Sequence, residues 1–144
     1  MKTLFNAILL LIFSTATMAQ QIVETPDYII YYNAFNSTVI DADAAKKNKL
    51  VRSKYTAMLN ISVFAKHADG SSSAVKSFNS GSVENLLGQQ QQLEFVTIEE
   101  GKAVYYIASF RFANKELMNF KVAVQPDPNK QAISVNISQK FYVE

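Results

Sequence analysis

Residues 20–144 predict an all-β fold: an immunoglobulin-like antiparallel β-sandwich of about seven strands with one short helical insert. Three observations carry this expectation. Apolar residues alternate with polar ones at a period of two over 53–66 and again over 133–143. Turn-forming residues fall between the apolar runs at close spacing. The chain has no cysteine, so an exported domain of this length must hold together by its core rather than by disulfide staples.

Taken in order, residues 1–19, MKTLFNAILLLIFSTATMA, read as a signal peptide. Lys2 gives a positive start, Leu4 to Phe13 an apolar run broken only by Asn6, and Thr17-Met18-Ala19 small residues before a cleavage point at Gln20. The run is about half of the ~20 residues that a membrane span requires. With no cysteine to carry a lipid, the expectation is a periplasmic protein that is exported and not lipidated, with no membrane span in the mature chain. That mature chain is a single domain. Its net charge is +1, the whole-chain +2 less Lys2, because residues 1–19 hold no acid. Mixed charge of this kind gives no electrostatic case for nucleic acid.

The mature chain opens with YIIYYNAFNSTVI, residues 28–40, which starts as a strand and then changes to Asn33, Asn36, Ser37 and Thr38. DADAAKKNKL, residues 41–50, has Asp41 or Asp43 as a helix cap and lysines toward its end, and predicts one or two helical turns crossing between sheets. In SKYTAMLNISVFAK, residues 53–66, Tyr55, Ala57, Leu59, Ile61, Val63 and Ala65 share one face, and Lys54, Thr56, Met58, Asn60, Ser62 and Lys66 the other. Asp69-Gly70 ends that strand. NLLGQQQQL, residues 85–93, reads as a loop entering a strand marked by Leu93 and Phe95. Glu100-Gly101 leads to KAVYYIASFRF, residues 102–112, apolar on both faces as a central strand would be. Asn114-Lys115 turns into a strand marked by Phe120, Val122 and Val124, and Pro126-Asp127-Pro128-Asn129 turns into the last, Ile133 to Val143.

Little in this chain points to catalysis. The single histidine, His67, sits beside the Asp69-Gly70 turn without His or Cys partners for a metal or a supported triad. Asp41 and Asp43 lack the glycine and the further oxygens of a calcium loop. Glu99 and Glu100 are adjacent in a strand and so point to opposite faces. The expectation is therefore no catalytic residues, no metal and no cofactor. The tyrosine doublets Tyr31-Tyr32 and Tyr105-Tyr106 should each place one ring in the core and one on the surface. If the surface pair fell on neighbouring strands, it would form a platform for sugar or protein.

The order of signals, YYNAFNST, RSKYTAMLNISV, NLLGQ, AVYYIASF and the terminal FYVE, resembles the bacterial domain of unknown function 4426 family. The likeness covers the whole mature chain and is most specific in Tyr32-Asn33-Ala34-Phe35-Asn36-Ser37 with Arg52-Ser53-Lys54. It implies a small exported protein of gamma-proteobacteria with an immunoglobulin-like sandwich and, since the family has no assigned activity, no catalytic residue. The Asn-rich stretch itself admits two readings. In the preferred one Asn33 and Asn36 satisfy backbone groups at a strand exit, Ser37 caps the next turn and Phe35 plugs the corner. In the other, Tyr32, Asn33, Asn36, Ser37 and Arg52 form a polar binding rim. The functional expectation is a non-enzymatic binding module acting on another envelope protein. The alternative is a small envelope enzyme or carbohydrate-binding module using exposed tyrosines and carboxylates.

Overall fold

The computed structural model describes residues 21–144, and the leader read over residues 1–19 lies outside them. Among the described residues ten strands form two antiparallel sheets: β1 Gln21–Glu24, β2 Tyr28–Asn36, β3 Thr56–Lys66, β4 Ser72–Ala74, β5 Phe78–Asn85, β6 Gln90–Gln92, β7 Phe95–Glu100, β8 Ala103–Arg111, β9 Glu116–Gln125 and β10 Ile133–Phe141. Seven of them run six residues or more, and β1, β4 and β6 are shorter. The six-stranded sheet has the order β1-β2-β3-β8-β7, with β4 also on β3, and the four-stranded sheet has the order β10-β9-β5-β6.

Alternation decides which residues meet between the sheets. Ile30 and Ala34 of β2, Ala57, Leu59, Ile61 and Val63 of β3, and Tyr106, Ala108 and Phe110 of β8 face inward from the larger sheet. Val83 of β5, Met118, Phe120, Val122 and Val124 of β9, and Val135, Ile137 and Phe141 of β10 face them from the smaller. Phe110 stands edge-on to Phe120, with ring centroids 5.0 Å apart, and to Phe141 at 5.2 Å. These contacts interlock the two sheets.

The helical insert forms as expected and goes elsewhere. A 3-10 turn, Ser37–Val39, precedes α1, Ala42–Lys47. The Asp41 carboxylate accepts from the Ala44 N–H at 3.2 Å, and Lys46 and Lys47 fill the last turn, where cations oppose the helix dipole. Crossing between sheets was expected; instead β2 and β3 are adjacent neighbours in one sheet, paired from Tyr28↔Ala65 to Asn36↔Ala57. The register explains this, because it continues without a break up to Asn36 and the insert merely returns the chain to the same edge.

β5 is a strand that carries few apolar residues, FNSGSVEN. It fits because Gly81 lets β9 come close: a Cβ there would fall within van der Waals distance of the Lys121 carbonyl oxygen and the Val122 Cα. Gly81→Ala should therefore push β5 off β9 and lower stability by ~1–3 kcal/mol, read from urea unfolding. An unchanged midpoint would show that the two strands relax freely.

Candidate functional site

The Asn-rich stretch is strand, not strand exit, since β2 continues through Asn36. Each of the five residues of the expected rim then has a definite position. Ser37 is fully buried; its hydroxyl donates to the Ser53 carbonyl and accepts from the Ser53 N–H, both at 2.8 Å. It therefore fastens the two ends of the insert together rather than capping a turn. Arg52 Nη2 donates to the Thr38 carbonyl at 3.2 Å. Asn36 Nδ2 donates to the Tyr142 carbonyl at 2.8 Å, tying β2 to the chain just after β10. Asn33 Oδ1 accepts from Asn60 Nδ2 across the β2–β3 pair at 3.3 Å.

Tyr32 and Asn33 do share a cleft of about 310 Å³ with Gln21, Ala34, Ile137, Ser138 and Gln139. Asn36 lines a neighbouring one of about 160 Å³ with Phe35, Val39 and residues 139–142. Ser37 and Arg52 line neither. The clefts lie in the seam where β2 faces β10. The Lys66 N–H donates to the Asp27 carbonyl, which sets the alternation along β2 so that the main-chain groups of Ala34 and Asn36 face away from β3. β1 pairs with residues 29–32, so among the described residues no strand pairs with β2 on that side beyond Tyr32. Gln139 Nε2 donates to the Ala34 carbonyl at 3.1 Å and bridges the gap.

The outward faces of the two sheets differ sharply. On the four-stranded sheet that face carries Ser80, Ser82, Glu84, Asn119, Lys121, Ser134, Asn136, Ser138 and Lys140, a mostly polar surface on which Phe78, Leu117 and Ala123 are the apolar exceptions. On the six-stranded sheet, register places Ile22, Tyr31 and Ser62 in one row, with Tyr105 and Ile98 paired at its far end. The next row is Asn33, Asn60, Ile107 and Val96. Beside the first row Tyr31 and Phe64 meet edge to face at 5.4 Å. Phe35 and Met58, paired opposite each other, are buried but lie outside the core cluster. Ile22 and Val96 are exposed at 54% and 42%, the other large apolar residues half-covered. Asn60 Oδ1 is buried there without a hydrogen-bond partner among the described residues.

Sequence reasoning passed over this face, although KAVYYIASFRF was read as apolar on both sides. The missing signal was Met58 and Phe64 standing at the positions assigned to solvent. The tyrosine doublets split as expected, Tyr106 in the core and Tyr105 outward, Tyr32 inward and Tyr31 outward. The outward pair, however, is not on neighbouring strands: β3 lies between β2 and β8, and its small Ser62 separates the rings.

Carboxylates and the histidine are occupied in turns. Asp27 and Asp127 line a cleft of about 130 Å³, but Lys130 pairs with Asp27 at 3.5 Å and Asp127 Oδ1 accepts from the Asn129 N–H at 2.9 Å. His67 Nε2 is 2.7 Å from Ser73 Oγ on an exposed hairpin. A triad would need a carboxylate orienting the imidazole, and Asp69 instead accepts from the Ser71 hydroxyl and N–H, at 2.6 and 2.9 Å. Those two Ser71 hydrogen bonds, aided by the nearby His67, hold the Asp69 carboxyl below its ordinary value of 3.8. Among the described residues no three His, Cys, Asp or Glu side chains gather as a metal site would.

Residues 22–144 match the family Domain of unknown function (DUF4426). The chain belongs to the DUF4426 family. A solved DUF4426 family protein of Pseudomonas aeruginosa PAO1 is similar at 26% identity and a TM-score of 0.74, over 87% of this chain and 96% of that one. FetP of uropathogenic E. coli strain F11, expressed recombinantly in the periplasm, shares the fold at 14% identity and a TM-score of 0.61, over 85% of this chain and 93% of that one. A copper-bound variant of FetP matches at the same identity and TM-score, over 88% and 92%. No curated protein matches this DUF4426 chain, and no helix among its described residues is long and apolar enough to cross a membrane.

Two outcomes test the assignments within this DUF4426 domain. Ser37→Ala leaves the Ser53 N–H unanswered beside a fully buried position, while the Ser53 carbonyl keeps the Thr56 N–H, and should cost ~1–3 kcal/mol, whereas Arg52→Ala should stay within ~0.5 kcal/mol; chemical denaturation of both variants separates them. Ser71→Ala should raise the Asp69 titration midpoint back toward 3.8, followed by NMR. Since the folded value is depressed, the Asp69–Ser71 turn gains stability above the ordinary value and loses it as pH falls through the lowered one.

Proposed function

We propose that this protein is an exported, periplasmic, non-enzymatic module of the cell envelope that binds another envelope protein through the outer face of its six-stranded sheet. The observation that carries this reading is the contrast between the two solvent faces. One is mostly polar, with Phe78, Leu117 and Ala123 scattered on it, and the other sets Ile22, Tyr31, Phe64, Tyr105, Ile98, Ile107 and Val96 side by side. A contiguous apolar surface of this kind marks an interaction site. The core between the sheets has its own residues and does not require these.

Aliphatic neighbours around both outward tyrosines favour a protein surface over sugar, which stacks on rings set among hydrogen-bonding groups. The likeness to copper-bound FetP supports the fold alone.

A photoactivatable crosslinker at Val96 should capture a specific periplasmic protein in intact cells, and the same group at Lys121, on the opposite outer face, should not. Ile22→Asp combined with Tyr105→Asp should abolish the Val96 product while the purified protein stays folded. Equal products from both faces, or none from Val96, would refute the reading.

A further inference from the structure

β10 is a long strand edge with few of the usual defences. A free edge presents unpaired N–H and C=O groups, and natural proteins blunt it by shortness, charge, proline or a bulge. The other edges follow that rule: β1 has four residues, β4 and β6 have three each, and β7 carries Glu99 and Glu100, the former paired to Lys76 at 3.2 Å. By contrast β10, ISVNISQKF, is nine residues long, pairs with β9 at every position without a bulge, and holds Lys140 as its one charge.

The hydrogen-bonding direction along this edge follows from bonds two strands away. The Leu93 N–H reaches the Gly81 carbonyl, and the Asn85 N–H the Gln89 carbonyl, so odd-numbered groups of β5 point to β6. Its even-numbered groups then meet Asn119, Lys121 and Ala123 of β9, and alternation turns Met118, Phe120, Val122 and Val124 toward β10. These engage Gln139, Ile137, Val135 and Ile133. What remains, the main-chain groups of Ser134, Asn136, Ser138 and Lys140, faces outward along the edge.

We infer that β10 pairs with β10 of a second copy of this chain, antiparallel about a two-fold axis at Ile137, joining two four-stranded sheets into one of eight strands. The strand is complementary to its own reverse. The register with full overlap sets Ser134 opposite Lys140 of the second copy and Asn136 opposite Ser138, so the lysines stay apart and every outward pair is polar. On the inner face the same register sets Ile133 against Phe141, Ile137 against itself and Val135 against Gln139. The groups facing outward along the edge are then the ones that meet across the axis. The axis passes beside the cleft that Ile137, Ser138 and Gln139 share with Tyr32 and Asn33, so each copy walls the other's cleft.

Sedimentation velocity of the mature chain should show a dimer that dissociates on dilution. Ser138→Pro removes an N–H that β9 does not use and blocks the edge; it should give a monomer with unchanged circular dichroism. Ser134→Lys places lysines opposite each other twice in the symmetric pair and should weaken association roughly tenfold. Lys140→Glu in that background should restore it, which a fold defect could not mimic. A wild-type chain that stays monomeric at its highest soluble concentration overturns the inference. So does a dimer that survives Ser138→Pro, or a Ser134→Lys chain that Lys140→Glu fails to rescue.

Discussion

The contact of Phe110 with Phe120 and Phe141 is the constraint on which the rest of this molecule depends. Phe110 belongs to one sheet and the other two rings to the opposite one, with centroids 5.0 and 5.2 Å away and planes near perpendicular. Edge-to-face packing of this kind is directional as well as apolar. In a chain without cysteine, such contacts fix how far apart the sheets stand and how β8 sits over β9 and β10. That placement brings β10 alongside the open end of β2, close enough for Gln139 to reach Ala34 and for Asn36 to reach Tyr142. The seam is thus a consequence of the core, and two side-chain amides bridge it.

A sheet that has already buried one face normally leaves the other to water, and the four-stranded sheet does so. The six-stranded sheet reads differently, with apolar side chains on both faces of β2, β3, β7 and β8. Strands apolar on both faces are characteristic of sheets covered on both sides. Near the insert, Phe35 and Met58 are buried outside the core cluster, and Ala45 of α1 is buried as well. Farther along, Tyr31, Phe64, Tyr105 and Ile107 are only half-covered. The face is thus partly shielded at one end and open at the other, and the open part is where a second surface gains most from removing water.

Much of this architecture was legible because its signals are local. The alternation in 53–66 and 133–143 requires no knowledge of partners, and Asp41 or Asp43 announces a helix by chemistry alone, with the structure choosing Asp41 as the cap. Lys115 and Gly101 take positive φ values of 61° and 59° at the two hairpins where turn residues were read. β5 was invisible for the opposite reason. Its inward positions are Asn79, Gly81, Val83 and Asn85, and only their fit against β9 makes them a strand. Asn33 and Asn36 misled in the same way: their composition reads as a turn, while the unbroken pairing with β3 holds them extended, and tertiary context prevails over propensity.

Asparagine shows most clearly why residue type alone does not locate a site here. Asn36 spans the seam, Asn33 and Asn60 form a rung across two strands, and Asn85 accepts from the N–H groups of Leu87 and Gln89 to hold the β5–β6 turn. A polar side chain whose bonds are answered inside its own chain has little left to offer a ligand, since an outside group must first replace what it breaks. Apolar side chains carry no such commitment, because burial against any complementary surface stabilises them. In this chain the polar cluster that stands out in the sequence is largely engaged in holding the fold. The unengaged surface is the apolar one that alternation alone would have assigned to solvent.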